Sequence, residues 1–194
     1  MQLALFDFDG TLTDRDTMLA FCRHVRGPLR FWAGMVWLTP VFGLMFLKWM
    51  PAEVAKVRFL RHFLGGMERV TLETWARSFA VEVDTWMRPG ALERLAWHRD
   101  EGHDVAVVSA SVDIWLLPWM EKRGLRCLCS RAAFEDDVFT GRLDGANCNH
   151  EEKVRRVRAE YDLSVYARIY AYGDSKGDQA MLALAHEPTF RPFR

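Results

Sequence analysis

Aspartates placed directly after apolar runs are the first residues in this chain that could do chemistry. Asp7 and Asp9 follow Leu3-Ala4-Leu5-Phe6 and lead into Gly10-Thr11. A second acidic cluster, Gly173-Asp174-Ser175-Lys176-Gly177-Asp178, follows Arg168-Ile169-Tyr170-Ala171-Tyr172 far along the chain. Between them, Ser109-Ala110-Ser111 ends the run Val105-Ala106-Val107-Val108. In an open parallel sheet such positions meet at the carboxyl ends of the strands. Several carboxylates on one rim repel one another unless a cation sits among them. A donor set of oxygens, without histidine or cysteine, favours Mg2+, which keeps positions open for phosphate oxygens. Lys153, with hydroxyl donors, supplies what a transferring phosphoryl group needs.

The elements that must position these residues follow from the hydrophobic pattern. Residues 2–8, 104–109, 125–130 and 168–173 read as short strands, and 133–144 as a hairpin turning at Asp136-Asp137. Helices are expected near 90–101, 112–123, 150–161 and 177–185. Strands alternating with helices argue a parallel sheet with right-handed crossovers. A helical stretch interrupts that rhythm. Helices near 16–26, 29–38, 41–49, 51–64 and 71–87 are separated by Gly27-Pro28, Pro40, Pro51 and Gly65-Gly66. Thr13-Asp14 and Arg88-Pro89-Gly90 bound the stretch as plausible hinges.

Taken singly, each residue also has an ordinary structural use. Asp7 and Asp9 could form a turn, and Ser111 could cap the helix near 112. Lys153 could be one charge on a solvated face with Glu151, Glu152, Arg155 and Arg156. His150 and Cys148 read as loop residues.

Together, Asp7-Phe8-Asp9-Gly10-Thr11, Ser109, Lys153 and Gly173-Asp174-Ser175-Lys176-Gly177-Asp178 resemble, in order, the four motifs of the haloacid dehalogenase superfamily. The phosphatase branch is the match, and the helical insertion is similar to that of subfamily IB, the phosphoserine-phosphatase-like group. The resemblance implies an α/β fold: a Rossmann-like parallel sheet core over 1–15 and 88–194, with an inserted all-helical C1 cap over 16–87. It implies Asp7 as nucleophile forming an aspartyl-phosphate, and Asp9 as general acid and base. It further implies phosphate binding by Gly10, Thr11, Ser109, Ala110 and Lys153. Asp7, Asp9 and Asp174 would hold Mg2+, with Asp178 supporting a bound water or Lys153. An acid two residues after the nucleophile fits phosphatases, with a phosphomutase of the same fold as the alternative. True phosphoserine phosphatases have two glycines where this chain has Ala110-Ser111. Their substrate-binding glutamate and cap arginine have only loose candidates here, Asp16 and Arg58 or Arg61. The expected substrate is a small phosphorylated metabolite or a lipid phosphate such as phosphatidylglycerophosphate.

Composition narrows the partners. The 194 residues carry 26 Lys and Arg against 26 Asp and Glu. That balance gives no basic stripe for nucleic acid. Of the four cysteines only Cys127 and Cys129 are closely spaced, and with no second pair to complete a zinc site they read as inert thiols. No secretory signal is expected, and the location read from this is cytoplasmic. From Phe31 to Leu47 no charge occurs, but the run is short for a membrane span and contains Pro40. Buried or half-buried helices inside a soluble domain are the first expectation there. A second is peripheral contact of residues 31–49 with the inner membrane face, through Trp32, Trp37 and Trp49. A membrane-surface binding or signalling module on a phosphatase scaffold is the corresponding non-enzymatic alternative.

Overall fold

The computed structural model describes residues 1–194. Its centre is a six-stranded sheet. The strands are β1 (Gln2–Phe6), β2 (Asp104–Val112), β3 (Arg126–Glu135), β4 (Val138–Asp144), β5 (Arg168–Gly173) and β6 (Glu187–Phe190), in the order β4-β3-β2-β1-β5-β6. Only β3 and β4 pair antiparallel. Central β1 is buried on both faces. Leu3 and Leu5 pack with Val108, Ile169 and Val157, while Ala4 and Phe6 join the larger cluster on the other face. Such double burial explains why its sequence is a continuous apolar run.

Register decides where the chemistry falls. Phe6 lies opposite Val107 on β2 and Tyr172 on β5. Asp7, Ser109 and Asp174 therefore leave three adjacent strands at one edge.

The helices are α1 (Thr17–Arg26), α2 (Pro28–Trp37), α3 (Thr39–Phe46), α4 (Ala52–Phe63), α5 (Arg69–Asp84), α6 (Pro89–Asp100), α7 (Asp113–Glu121), α8 (Glu151–Glu160) and α9 (Gln179–Leu182). Six of them lie between β1 and β2, and the first five make up the helical stretch over 16–87. Their breaks are those the glycines and prolines announce. Gly27 has φ 73°, and Pro28 starts α2. Pro40 falls in the first turn of α3, where its missing N–H is harmless, so α2 and α3 meet at a 52° bend.

These five helices have no separate core. Phe21, Phe59 and Phe79 share one buried cluster with Trp115 and Trp119 of α7 and Phe139 of β4. Phe21 stacks on Trp115, with ring centroids 5.2 Å apart. Entry and exit run side by side. The Asp14 N–H donates to Trp86 O at 3.0 Å, and that of Arg88 to Leu12 O at 2.9 Å. The segments expected to be hinges are thus paired with each other.

Three expectations need correction. β6 was not foreseen, because all four of its residues are exposed and leave no hydrophobic pattern. The strand expected at 125–130 and the first arm of the hairpin are one continuous β3; Asp136 and Asp137 turn the chain with φ 48° and 60°. The 31–49 segment is not enclosed. Phe31, Gly34 and Leu38 are buried, but Trp32, Val36, Trp37, Phe46, Leu47 and Trp49 are exposed. No single helix is long and apolar enough to cross a membrane.

One polar group lies inside the core. His98 of α6 is fully buried, with Nε2 3.0 Å from the Tyr172 hydroxyl and Nδ1 2.8 Å from Nδ1 of His103. Burial, helped by His103 and Arg94, pushes its pKa down from 6.5 to about 4. Between those values only the unfolded chain protonates this histidine, so the stability that His98 contributes falls as pH drops through this window. The maximal slope is about 1.4 kcal/mol per pH unit. Buried carboxylates that titrate over the same range contribute to both proteins alike, so the decline should appear as the difference in pH slope between thermal melts of wild type and of His98→Gln. Equal slopes in the two proteins would remove His98 as its cause.

Candidate active site

The turn after β1 begins the site. Residues Phe8–Leu12 form one wide turn in which Gly10 takes φ +82°. A Cβ there would lie 2.6 Å from Asp174 Oδ2, so glycine lets two acidic loops approach. Thr11 Oγ1 donates to Asp7 Oδ2 at 3.0 Å and fixes the carboxylate.

Lys153 meets Asp7 from the other side. It lies in the first turn of α8 and is 1 % exposed. Its ammonium donates to Asp7 Oδ1 at 2.6 Å, Asp178 Oδ1 at 2.6 Å and Val108 O at 2.7 Å. All three N–H groups are thereby used. Burial opposes the lysine charge, but the two carboxylates outweigh it and hold the pKa above its ordinary value. The solvated-face reading of Lys153 does not describe its position.

Asp178 is the fastener of the loop after β5. Its Oδ2 accepts from the N–H groups of Asp174 and Ser175 and from the Ser175 hydroxyl. Ser175 Oγ in turn accepts from Gly177 N, completing a capping box. Burial pushes the Asp178 pKa up, yet Lys153 and these donors bring it below the ordinary value.

Asp9 points the opposite way along the rim. Its Oδ1 accepts from Thr17 N at 2.7 Å and its Oδ2 from Ser111 Oγ at 2.6 Å. Thr17 Oγ1 lies 3.1 Å from Ser111 Oγ and accepts from Trp115 Nε1. Burial raises the Asp9 pKa to about 6, with Asp16 adding repulsion and the donors opposing it. Ser111 is therefore a partner of Asp9 and not a helix cap; α7 has no side-chain cap. Ser109, 1 % exposed, accepts from Ser111 N. Ala110 O accepts from Ser130 Oγ at 2.8 Å and from Lys56 Nζ at 2.5 Å.

Lys56 was missed in the sequence. It reaches from α4 to Ala110 O and Asn147 Oδ1, the latter at 2.6 Å, and burial lowers its pKa to about 8. A signal existed, because Ala55, Phe59 and Phe63 form the buried stripe of α4 and Lys56 flanks it. Arg58 and Arg61, the sequence candidates, are exposed on the other side. Asp16 is also exposed and caps α1, accepting from Leu19 N at 3.0 Å. Arg194, unforeseen too, lies 2.5 Å from Asp174 Oδ2.

The donor set suits a hard divalent cation. Ligand atoms of Asp7, Asp174 and Asp178 lie within 4.8 Å of one another. Asp178 is committed to Lys153 and its own loop, which leaves Asp7 and Asp174 to turn toward an ion. Burial pushes the Asp7 carboxyl up to about 7 although Lys153 opposes it, and Asp178 and Asp9 add to the rise. The carboxylates of Asp7, Asp174 and Asp178 face only Lys153 and the half-exposed Arg194, and a cation would complete the balance.

Comparison with known proteins agrees with this geometry. The model for "haloacid dehalogenase-like hydrolase" matches residues 4–183. Protein CicA of Caulobacter vibrioides is 36 % identical over 196 residues, spanning 99 % of this chain and 86 % of that protein. A Bordetella pertussis Tohama I protein described as of unknown function superposes with TM-score 0.82. It is 24 % identical and covers 97 % of this chain and 88 % of its own. A phosphoserine phosphatase solved as a phospho-aspartyl intermediate analogue gives TM-score 0.67 at 21 % identity, over 94 % of this chain and 82 % of the other. The two structural likenesses speak to the fold, and the family match covers nearly all of it. This chain belongs to the haloacid dehalogenase-like hydrolase family.

Proposed function

We propose that this chain is a Mg2+-dependent phosphomonoester hydrolase working through an aspartyl-phosphate on Asp7. The observation that carries the reading is the pairing of Asp7 with buried Lys153 at 2.6 Å, beside Asp174 and two residues before Asp9. Asp7 attacks phosphorus, and the bond to the leaving oxygen breaks. Asp9, with its raised pKa, hands its proton to that oxygen. The resulting Asp9 carboxylate then takes a proton from water, which attacks phosphorus and frees Asp7 and inorganic phosphate. Thr11, Ser109 and the amide of Ala110 hold the phosphoryl oxygens, and the Lys153 ammonium neutralises the charge of phosphate and nucleophile. When bound by Asp7, Asp174 and the Asp9 main-chain carbonyl, Mg2+ supplies the charge that offsets the phosphate and the crowded carboxylates.

The helices over 16–87 act as the cap in this reading. Asp7 is 6 % exposed, and Ser109 and Lys153 are each 1 % exposed. Substrate entry therefore requires the helices to move, and their return excludes water. Lys56 takes the cap role that the sequence offered to Arg58 and Arg61. The substrate class is a small phosphorylated metabolite or a lipid phosphate, read by the cap rather than by the four motifs.

Release of phosphate from an aryl phosphate should require Mg2+ and stop with EDTA. Asp7→Asn should lower the rate by about 10³-fold or more. Asp9→Asn should lower it by about 10²–10⁴-fold and leave phosphate on Asp7, detectable by mass spectrometry. Equal rates in wild type and Asp7→Asn would overturn the reading. Gly10→Ala should cost about 1–2 kcal/mol of stability through its left-handed backbone. It should lower activity about 10²-fold by displacing Asp174. Retention of full activity would show that the two loops need not touch.

A further inference from the structure

Apolar surface is concentrated in one place on this molecule. Between Leu29 and Trp49, α2 and α3 turn a run of large side chains outward; Leu29 is 87 % exposed, Phe46 88 % and Trp49 78 %. The opposite side of α2 is pressed onto α4. A Cβ on Gly34 would lie 2.6 Å from Phe63, so the helices are in close contact and the outward side chains have no room to turn in. An exposed patch of this kind marks an interaction surface.

Charge selects the partner. Residues 17–67 hold seven lysines and arginines and one acid, Glu53, in a chain of zero net charge. Arg30 and Lys48 flank the patch and are exposed. Arg23, Arg30, Lys48, Arg58 and Arg61 enter no ion pair. A second copy docked symmetrically on this face would set those cations against themselves, with Glu53 as the one acid of the stretch and Asp16 and Glu82 at its edge beside Trp32. An anionic bilayer offers what the face lacks, negative headgroups beside an apolar layer. Tryptophan favours that boundary.

Length fixes the mode of contact. Helices of ten and eight residues are about 15 and 12 Å long, against about 30 Å of hydrocarbon. Neither is long enough to cross alone, and the pair, apolar enough together, is broken by a 52° bend that turns the two axes away from a single straight span. A bent pair of this size lies in the plane of the interface.

We propose that α2 and α3 seat this protein on anionic lipid bilayers. Trp32, Trp37, Phe46 and Trp49 enter the headgroup boundary, and Arg30 and Lys48 meet lipid charge. The proposal rests on surface chemistry and stands apart from the phosphatase reading.

Vesicle co-sedimentation tests it, with phosphatidylcholine alone and phosphatidylcholine mixed with phosphatidylglycerol. Wild type should sediment with the anionic vesicles, with a blue shift of tryptophan emission, and release at high salt. Trp37→Asp combined with Phe46→Asp should lower binding by about tenfold or more. Arg30→Gln with Lys48→Gln should lower it about fivefold per charge. Unchanged melting temperature and aryl-phosphate hydrolysis in vesicle-free buffer show that the variants are folded. Wild type left in solution with every vesicle, or variants that sediment equally, would overturn the proposal. A wild-type dimer that the Asp variants dissociate, without vesicle binding, would assign the face to self-association instead.

Discussion

A lysine ammonium withdrawn from water survives only where its lost hydration is replaced by fixed oxygens. Lys153 has three such oxygens, from Asp7, Asp178 and the Val108 carbonyl, each within 2.7 Å. These come from the ends of β1 and β2 and from the loop after β5, so one charge ties three strand ends and α8 together. The arrangement binds in both directions. Without the lysine, two buried carboxylates would face each other, a penalty of about 3–5 kcal/mol for such broken pairs. Without the in-register ends of three parallel strands, no point in the molecule would offer all three acceptors. The sheet topology and the electrostatics of the site are thus one constraint.

A second set of bonds joins this charged centre to the inserted helices. Asp9 accepts from the first backbone N–H of α1 and from Ser111, while Trp115 of α7 holds Thr17 in place. Lys56 of α4 reaches the carbonyl one residue before Ser111. Any displacement of these helices therefore pulls on Asp9 and on the loop after β2 together. In the proposed mechanism, substrate access and the proton-bearing carboxyl would be coupled through a handful of hydrogen bonds, and the shared aromatic core beneath them opposes free swinging.

Much of this was legible in the residues. Apolar runs ending in acids marked β1, β2 and β5, because a strand buried on both faces has no polar positions to hide it. Asp136-Asp137 marked the hairpin, since short acidic residues tolerate the positive φ found there. The motifs named Asp7, Lys153 and Asp178, which the structure brings together. Other features depend on what only three dimensions supply. Ser111 could cap a helix or serve a carboxylate, and the irregularity of β2 between Ser109 and Val112 turns it to Asp9. Lys56 differs from Arg58 and Arg61 only in helical phase. Asp16, read as a substrate contact, spends its carboxylate on the end of α1. β6 carries no apolar alternation and is held by pairing with β5 alone.

The paired segments at Leu12–Asp14 and Trp86–Arg88 have a consequence for how such a molecule can diversify. Chain departure and return are stitched to one another before any helix begins. The entropy of closing whatever lies beyond that seam changes only slowly with its length. Helices can be lengthened, replaced or given a new surface without altering strand order or the placement of Asp7. The seam lets length and surface vary on the helical side while the strand ends beneath it stay where the sheet register puts them.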